Sequence, residues 1–126
     1  PDRAQIAVNR IETMTKMPTV LKALRLSFSR LTRSFIIAPD HLVEDWAVAD
    51  ARAMTPADLD ALLALQPALV VLGTGARQQF PPAAVMAACL QRGIGLEAMT
   101  NAAAARTYSV LAGEGRRVVA GFVFPA

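Results

Sequence analysis

One short apolar run limits most strongly what this chain can fold into. Residues 68–72, with the sequence ALVVL, precede a glycine and have a helical pattern on either side. Five apolar residues in that setting are typical of a strand covered on both faces. Strands that alternate with helices form βαβ units. The sequence therefore predicts an α/β protein with a parallel or mixed sheet and helices on its faces.

A first helix is predicted over residues 55–67. Thr55 is the expected N-cap and Pro56 suits the first helical position. Asp58 and Asp60 fall near the positive end of the helix dipole. Pro67 is expected to end the helix.

Two further helices follow. Residues 82–92 form the second, with a glycine at position 93 as the expected C-cap. Its inward-facing residues are predicted to be Val85, Met86, Cys89 and Leu90. The third contains AAAARTYSVLA, has Thr100 or Asn101 as its cap, and is closed by Gly113 and Gly115.

Five further strands are predicted. Residues 24–28 and 34–39 resemble an antiparallel pair, residues 46–48 are predicted to add a short third strand, and residues 93–99 and 118–124 complete the sheet. We expect a basic N-terminal segment at 1–23 and a single α/β domain at 24–126. A chain of 126 residues is long enough to bury a core of this kind.

Reactive residue types are few in this sequence. A single Cys89 and a single His41 cannot form a standard structural zinc site, and the apolar helix around Cys89 favours a buried thiol. His41 and its acidic neighbours Asp40, Glu44 and Asp45 are interpreted as a solvated turn. No Ser lies in a Gly-x-Ser-x-Gly pattern. We expect no metal or cofactor, and the sequence leaves open whether the chain is an enzyme.

The net charge of +3 is unevenly distributed. Residues 1–33 hold seven basic and two acidic residues, and residues 34–126 hold six basic and eight acidic ones. Because the basic residues are spaced and few aromatic residues accompany them, a solvated flank is favoured over nucleic-acid binding. A basic, Ser-rich start is also compatible with a mitochondrial presequence. No apolar stretch reaches the roughly 20 residues of a membrane helix, so no membrane insertion is expected.

The segment VLGTGARQQFPP is the strongest candidate for a binding site. A strand end, a glycine turn and a helix N-terminus together can hold an anion, and Arg77 would add a charged donor. Glu97 lies near the place of the ribose acid in a dinucleotide fold. However, Gln78 stands at the third glycine position, and five residues, 76–80, separate Gly75 from the double proline. The alternative is that the glycines supply positive φ for a tight exit from the strand.

A second candidate lies in the third helix, in the sequence ARTYSVL. Arg106 and Ser109 are i, i+3 neighbours and can share a face. If this helix packs beside the glycine loop, Arg106 and Arg77 could bind one anion. The alternative is that Arg106 pairs with a carboxylate or carbonyl while Tyr108 packs in the core.

Three segments together resemble a known family. LGTGARQQFPP, RGIGLEAMTNAAAARTYSVL and EGRRVVAGFVFP are similar to a small family of bacterial and archaeal proteins of unknown function, to which a mitochondrial assembly factor of respiratory complex I is related. The resemblance runs from about residue 34 to 125. It implies a single three-layer α/β domain with a mixed central sheet. This chain departs from the family pattern at Asn101, where Thr is usual, and at Ser109, where Asn is usual.

The resemblance implies no reaction. It favours a non-enzymatic interaction or assembly module with a protein partner, in the bacterial cytoplasm; a mitochondrial location is the alternative. A protein that binds a small anion or nucleotide, or an enzyme acting on one, is the second hypothesis, and nucleic acid ranks last. The candidate ligand-binding residues are Gly73, Thr74, Gly75, Arg77, Gln78, Phe80, Arg106, Thr107 and Tyr108.

Overall fold

The computed structural model describes residues 33–125 of the chain. The predicted strand at 24–28 and the basic segment at 1–23 lie outside the described residues.

A five-stranded mixed sheet forms the centre of the fold. Its strands are β1 (Phe35–Ala38), β2 (His41–Val43), β3 (Leu69–Gly73), β4 (Gly95–Met99) and β5 (Val118–Phe122). The order across the sheet is β2-β1-β5-β3-β4. β3 runs parallel to β4 and β5, whereas β1 is antiparallel to β2 and β5. The mixed α/β sheet predicted from the sequence is therefore confirmed.

Helices cover both faces of this sheet. The helical segments are a 3-10 turn (Ala51–Ala53), a 3-10 segment (Pro56–Leu59) that continues into α1 (Asp60–Leu63), then α2 (Ala83–Gln91) and α3 (Asn101–Gly113). α3 packs on one face, against Phe35, Val71 and Phe122. α1 and α2 pack on the other face, against Val70 and Leu72. Successive residues of β3 thus point into different cores, which explains its continuous apolar run.

The first predicted helix is shorter and less regular than expected. Thr55 does form a capping box: its N–H donates to the Asp58 carboxylate over 2.8 Å. The segment begins as a 3-10 helix, and the α-helix ends at Leu63 and not at Pro67. Gln66 has a φ of 57°, and a left-handed residue cannot continue a helix. Pro67 therefore follows the end of the helix.

In α2 the predicted inward face is too wide. Val85 and Cys89 are fully buried and Met86 is half-buried, but Leu90 is 71% exposed. The buried positions are four residues apart and form a narrow stripe, because the helix touches the sheet along one line. The prediction that Leu90 faces inward was wrong. Gly93, with a φ of 71°, is the expected glycine after the helix end.

The predicted strand at residues 46–48 is absent, and residues 44–50 are irregular. Trp46 and Val48 are buried while Ala47 is exposed, so the burial alternates as in a strand. The Trp46 N–H donates to the Ser34 carbonyl, and the Val48 N–H donates to the carbonyl of Trp46 itself, so no ladder forms. The indole lies against Gly121, where a Cβ would fall 2.6 Å from a ring carbon.

A charged cluster joins the hairpin between β1 and β2 to the start of β5. The Arg117 guanidinium donates to Asp40 over 2.7 Å and to the Leu65 carbonyl over 2.7 and 3.1 Å. His41 lies 3.1 Å from the same carboxylate. Hydrogen bonds from His41 and Arg117 lower the pKa of Asp40 to about 2. Asp40 was expected to be merely solvated; it remains exposed but is also paired.

Asp40 should make part of the stability depend on pH. Its pKa is lowered in the folded state, so its contribution is present above the ordinary value of 3.8 and is lost as the pH falls towards about 2. An Asp40→Asn variant should have a lower Tm than the wild type at pH 6, and the difference should shrink between pH 4 and pH 2. Thermal unfolding across this range measures it. Glu114→Gln, at an exposed position, is the control; equal pH profiles for the two variants would contradict the assignment.

Candidate functional site

A cleft opens where the parallel strands β3 and β5 end side by side. Gly73 and Phe122 are paired in register, and the Val123 N–H donates to the Gly73 carbonyl just beyond them. Open α/β sheets bind ligands at the carboxyl ends of their strands, where neighbouring connections separate. The cleft has a volume of about 310 Å³ and is lined by Ala49, Asp50, Arg52, Thr74, Gly75, Ala76, Arg77, Gln79, Val123 and Pro125.

Asn101, the first residue of α3, joins its helix to two segments behind this cleft, the loop that follows β3 and the residues that follow β5. Its Oδ1 accepts a hydrogen bond from the Gly75 N–H over 3.2 Å, and its Nδ2 donates to the Val123 carbonyl over 3.1 Å. The Asn101 N–H donates to the Gly75 carbonyl over 2.9 Å. The side chain is 7% exposed, so these bonds are shielded from water. Asn101 was one of two expected caps of α3, but Thr100 caps it by accepting from the Ala103 N–H.

The two glycines at and just beyond the end of β3, Gly73 and Gly75, have different structural roles. Gly75 has a φ of 109°, a conformation that side chains rarely adopt. Gly73 is the last residue of β3, and a Cβ there would lie 2.3 Å from the Asn101 Oδ1. The prediction of a positive φ therefore holds for Gly75. At Gly73 the glycine instead allows the side chain of Asn101 to approach the strand.

Thr74 closes the loop on itself. Its hydroxyl accepts from the Gln79 N–H over 3.0 Å and lies 2.8 Å from the Arg77 carbonyl and 3.1 Å from the Met99 carbonyl, to either of which it can donate. The side chain is 5% exposed. The hydroxyl is thus used by the loop itself and has little capacity left for a ligand.

Arg77 and Arg52 supply the positive charge of the cleft. Arg77 is exposed and makes no ion pair among residues 33–125. Arg52 donates to the Asp50 carboxylate from its Nε over 3.3 Å and from one Nη over 3.2 Å. These bonds raise the pKa of Arg52 and lower that of Asp50. Arg52 was not predicted, because it is 25 residues from Arg77 in a segment without a motif.

The structure does not bring the α3 candidates to the loop. Arg106 is exposed, and no hydrogen bond joins it to the loop within the described part of the chain. Thr107 is half-buried. Tyr108 is fully buried among Phe35, Val71 and other core residues, and burial raises the pKa of its phenol. The α3 residue that meets the loop is Asn101.

Ser109 does not share an exposed face with Arg106. It is buried and its hydroxyl donates to the Ala105 carbonyl over 2.8 Å. The predicted common face was therefore wrong, because position 109 turns towards the sheet while Arg106 points to solvent. Ser109 and Asn101, where the chain departs from the family pattern, are both satisfied by hydrogen bonds within the protein.

Gln78 and Phe80 lie on the outer side of the loop and do not line the cleft. The Gln78 amide donates to the Ala98 carbonyl on β4 over 2.8 Å. Phe80 is 66% exposed. Of the nine candidates, Gly73 ends the strand behind the cleft, and Thr74, Gly75 and Arg77 line it. Gln78 is bonded to β4, Phe80 is exposed outside the cleft, and the three α3 residues lie elsewhere.

Among residues 33–125 there is no group of three or more His, Cys, Asp or Glu side chains that could hold a metal ion. Cys89 is buried, and burial raises the pKa of its thiol. No helix in the described region is both long and apolar enough to cross a bilayer.

Fold and cleft together define an α/β protein with a mixed sheet, two helical layers and a cleft at the carboxyl ends of its parallel strands. The chain belongs to the family of proteins of unknown function DUF498/DUF598, whose family model matches residues 21–123. This confirms the resemblance found in the sequence.

Solved structures have the same fold. A Xanthomonas campestris protein determined by NMR is 63% identical, with a TM-score of 0.70, over 74% of this chain and 70% of that chain. A Bordetella pertussis protein, described as an Mth938-like domain, is 27% identical with a TM-score of 0.64, over 74% of each chain. Domains of this type characterise the family to which the complex I assembly factor is related.

One relative is named as a membrane protein. A Francisella tularensis subsp. holarctica (strain LVS) protein called "13 kDa major membrane protein" is 30% identical over 71 residues, or 56% of this chain. The matched part spans 58% of the length of that relative.

Replacing Asn101 should measure how strongly the cleft depends on it. Asn101→Ala leaves the Gly75 N–H and the Val123 carbonyl without partners in a buried place, which should cost about 2–4 kcal/mol of unfolding free energy. Asn101→Thr, the residue usual in the family, keeps one hydroxyl at this position and should cost less. Urea unfolding of both variants tests this. A loss below about 0.5 kcal/mol for Asn101→Ala would show that the amide is not needed.

Proposed function

We propose that the chain is a non-enzymatic protein-binding module of the bacterial cytoplasm, acting as the family's assembly-factor relative does, and that a partner polypeptide pairs with the open edge of β4. The observation that supports this best is the orientation of the peptide groups of Leu96 and Ala98.

The strand register indicates which groups of β4 are free. In a parallel pair, alternate residues direct both their N–H and their C=O towards the neighbouring strand. The Met99 carbonyl accepts from the Thr74 N–H, so Met99 faces β3, and Glu97 and Gly95 face it as well. Leu96 and Ala98 therefore direct their backbone groups away from the sheet.

Gln78 supports the same orientation independently. Its side-chain amide donates to the Ala98 carbonyl. A carbonyl bonded to β3 would not be directed at a loop outside the sheet. The Leu96 N–H, the Leu96 carbonyl and the Ala98 N–H have no side-chain partner among the described residues. Free groups of this kind are what an added strand binds.

The surroundings favour β4 over the opposite edge. β4 has five residues, whereas β2 has three, and a very short edge strand is a common protection against pairing. Phe80, two residues beyond Gln78, is 66% exposed. Aromatic side chains are enriched in protein interfaces, and this one follows shortly after the side chain that bonds to β4.

A proline at position 98 should block this pairing. Ala98→Pro removes an N–H that points away from the sheet, so the bonds to β3 are retained. Ala98→Val keeps the N–H and is the matched control. The tagged wild-type chain and the control should capture the same partner from the cytosolic fraction of native cells, and Ala98→Pro should recover less by about tenfold.

Circular dichroism and the Tm of Ala98→Pro establish that it is folded. Equal capture by a folded Ala98→Pro variant would contradict binding at this edge. Capture of no partner by the wild type from cytosolic or membrane fractions would contradict the interaction function itself.

A further inference from the structure

The cleft beside Gly75 contains a charge arrangement that protein binding at β4 does not use. Its charged side chains are Asp50, Arg52 and Arg77. Asp50 is bonded to Arg52, so their charges offset each other, and Arg77 remains without an ion pair among the described residues. The cleft therefore carries an excess of one positive charge.

The donors that line the cleft are not all occupied. Arg52 uses its Nε and one Nη for Asp50, and the other Nη has no hydrogen-bond partner within residues 33–125. The backbone N–H groups of Ala76 and Arg77 also lack an acceptor in this part of the chain. Guanidinium groups and free backbone N–H groups are what proteins use to bind oxyanions.

The position and size of the cleft suit a small ligand. Two of its walls come from the ends of neighbouring parallel strands, where ligands of α/β sheets are found, and a third comes from residues 49–52. Its volume of about 310 Å³ exceeds that of a single ion and lies at the low end for small-molecule sites. Asn101 bonds to Gly75 and to Val123, so the two strand-end walls are held relative to each other before any ligand arrives.

We propose that this cleft binds a small metabolite through one phosphate or carboxylate group, with Arg77 and Arg52 as the cationic ligands and Asp50 as the residue that positions Arg52. This differs from the sequence-based hypothesis, in which Arg106 was the second cation. Arg106 lies on α3 and is not among the residues of the cleft.

The test is an NMR titration of the 126-residue chain with three probes: inorganic phosphate, glycerol phosphate and malonate, each against sodium chloride of equal ionic strength. Saturable shifts should appear at the amides of Ala76, Arg77 and Arg52, and not with chloride. Stronger binding of glycerol phosphate identifies a phosphate ligand, and stronger binding of malonate identifies a carboxylate ligand.

Three variants assign the cations. Arg77→Gln should weaken binding of the best probe by about tenfold or more, and Arg52→Gln should weaken it less, because part of that guanidinium is already used by Asp50. Arg106→Gln is the matched control and should leave the affinity unchanged.

The absence of saturable shifts with every probe would overturn the proposal, as would an equal loss in Arg106→Gln and Arg77→Gln. The Ala98→Pro variant should keep its affinity for the probes. The anion site and the partner site at β4 can therefore fail separately.

Discussion

The side-chain amide of Asn101 holds together the parts of this fold on which the candidate site depends. One amide accepts from the loop that follows β3 and donates to the segment that follows β5. Because both bonds are buried, the amide and the two backbone groups must all be paired if the helix is to pack. The glycine at position 73 is a consequence, since a side chain there would occupy the place of the Asn101 Oδ1.

The loop that follows β3, which Asn101 holds through Gly75, has different surroundings on its two sides. Towards β5, the loop forms one wall of a cleft that is lined by both Arg77 and Arg52. Towards β4, Gln78 covers a single carbonyl of an otherwise open strand edge, and Phe80 remains exposed. A ligand in the cleft and a partner strand on β4 would therefore contact the same loop from opposite sides. The proposed functions can be linked through the loop without competing for one surface.

Local patterns predicted most of the fold. Apolar runs identified β1, β3 and β5, and capping residues identified the starts of α3 and of the helical segment at Thr55, because these signals depend on neighbours in the chain. The strand at 46–48 was predicted wrongly because Trp46 and Val48 alternate in burial without a strand beside them. Leu90 was predicted to face inward because the sequence alone does not distinguish an exposed leucine beside the buried stripe of a helix from a leucine in the core.

The candidate site was less predictable, because its contacts join residues far apart in the sequence. The loop was found from its glycines, and Arg77 from its place in it. Arg52 reaches the cleft from a short 3-10 turn without any motif. Asn101 was considered as a helix cap and as a departure from the family pattern, but not as a residue of the site. Similarly, Arg117 bonds to Asp40 across 77 residues. Contacts of this kind follow from the order of the strands, which spacing along the chain does not specify.

Residue-resolved amide hydrogen exchange of the unliganded 126-residue chain tests this account most directly. The Gly75 amide, bonded to Asn101 in a buried place, and the Glu97 and Met99 amides, bonded to β3, should exchange as slowly as the core of the sheet. The amides of Ala76, Arg77, Leu96 and Ala98 should exchange quickly. Rapid exchange at Gly75, or slow exchange at both Leu96 and Ala98, would contradict the proposed arrangement of a fixed loop between an open cleft and an open strand edge.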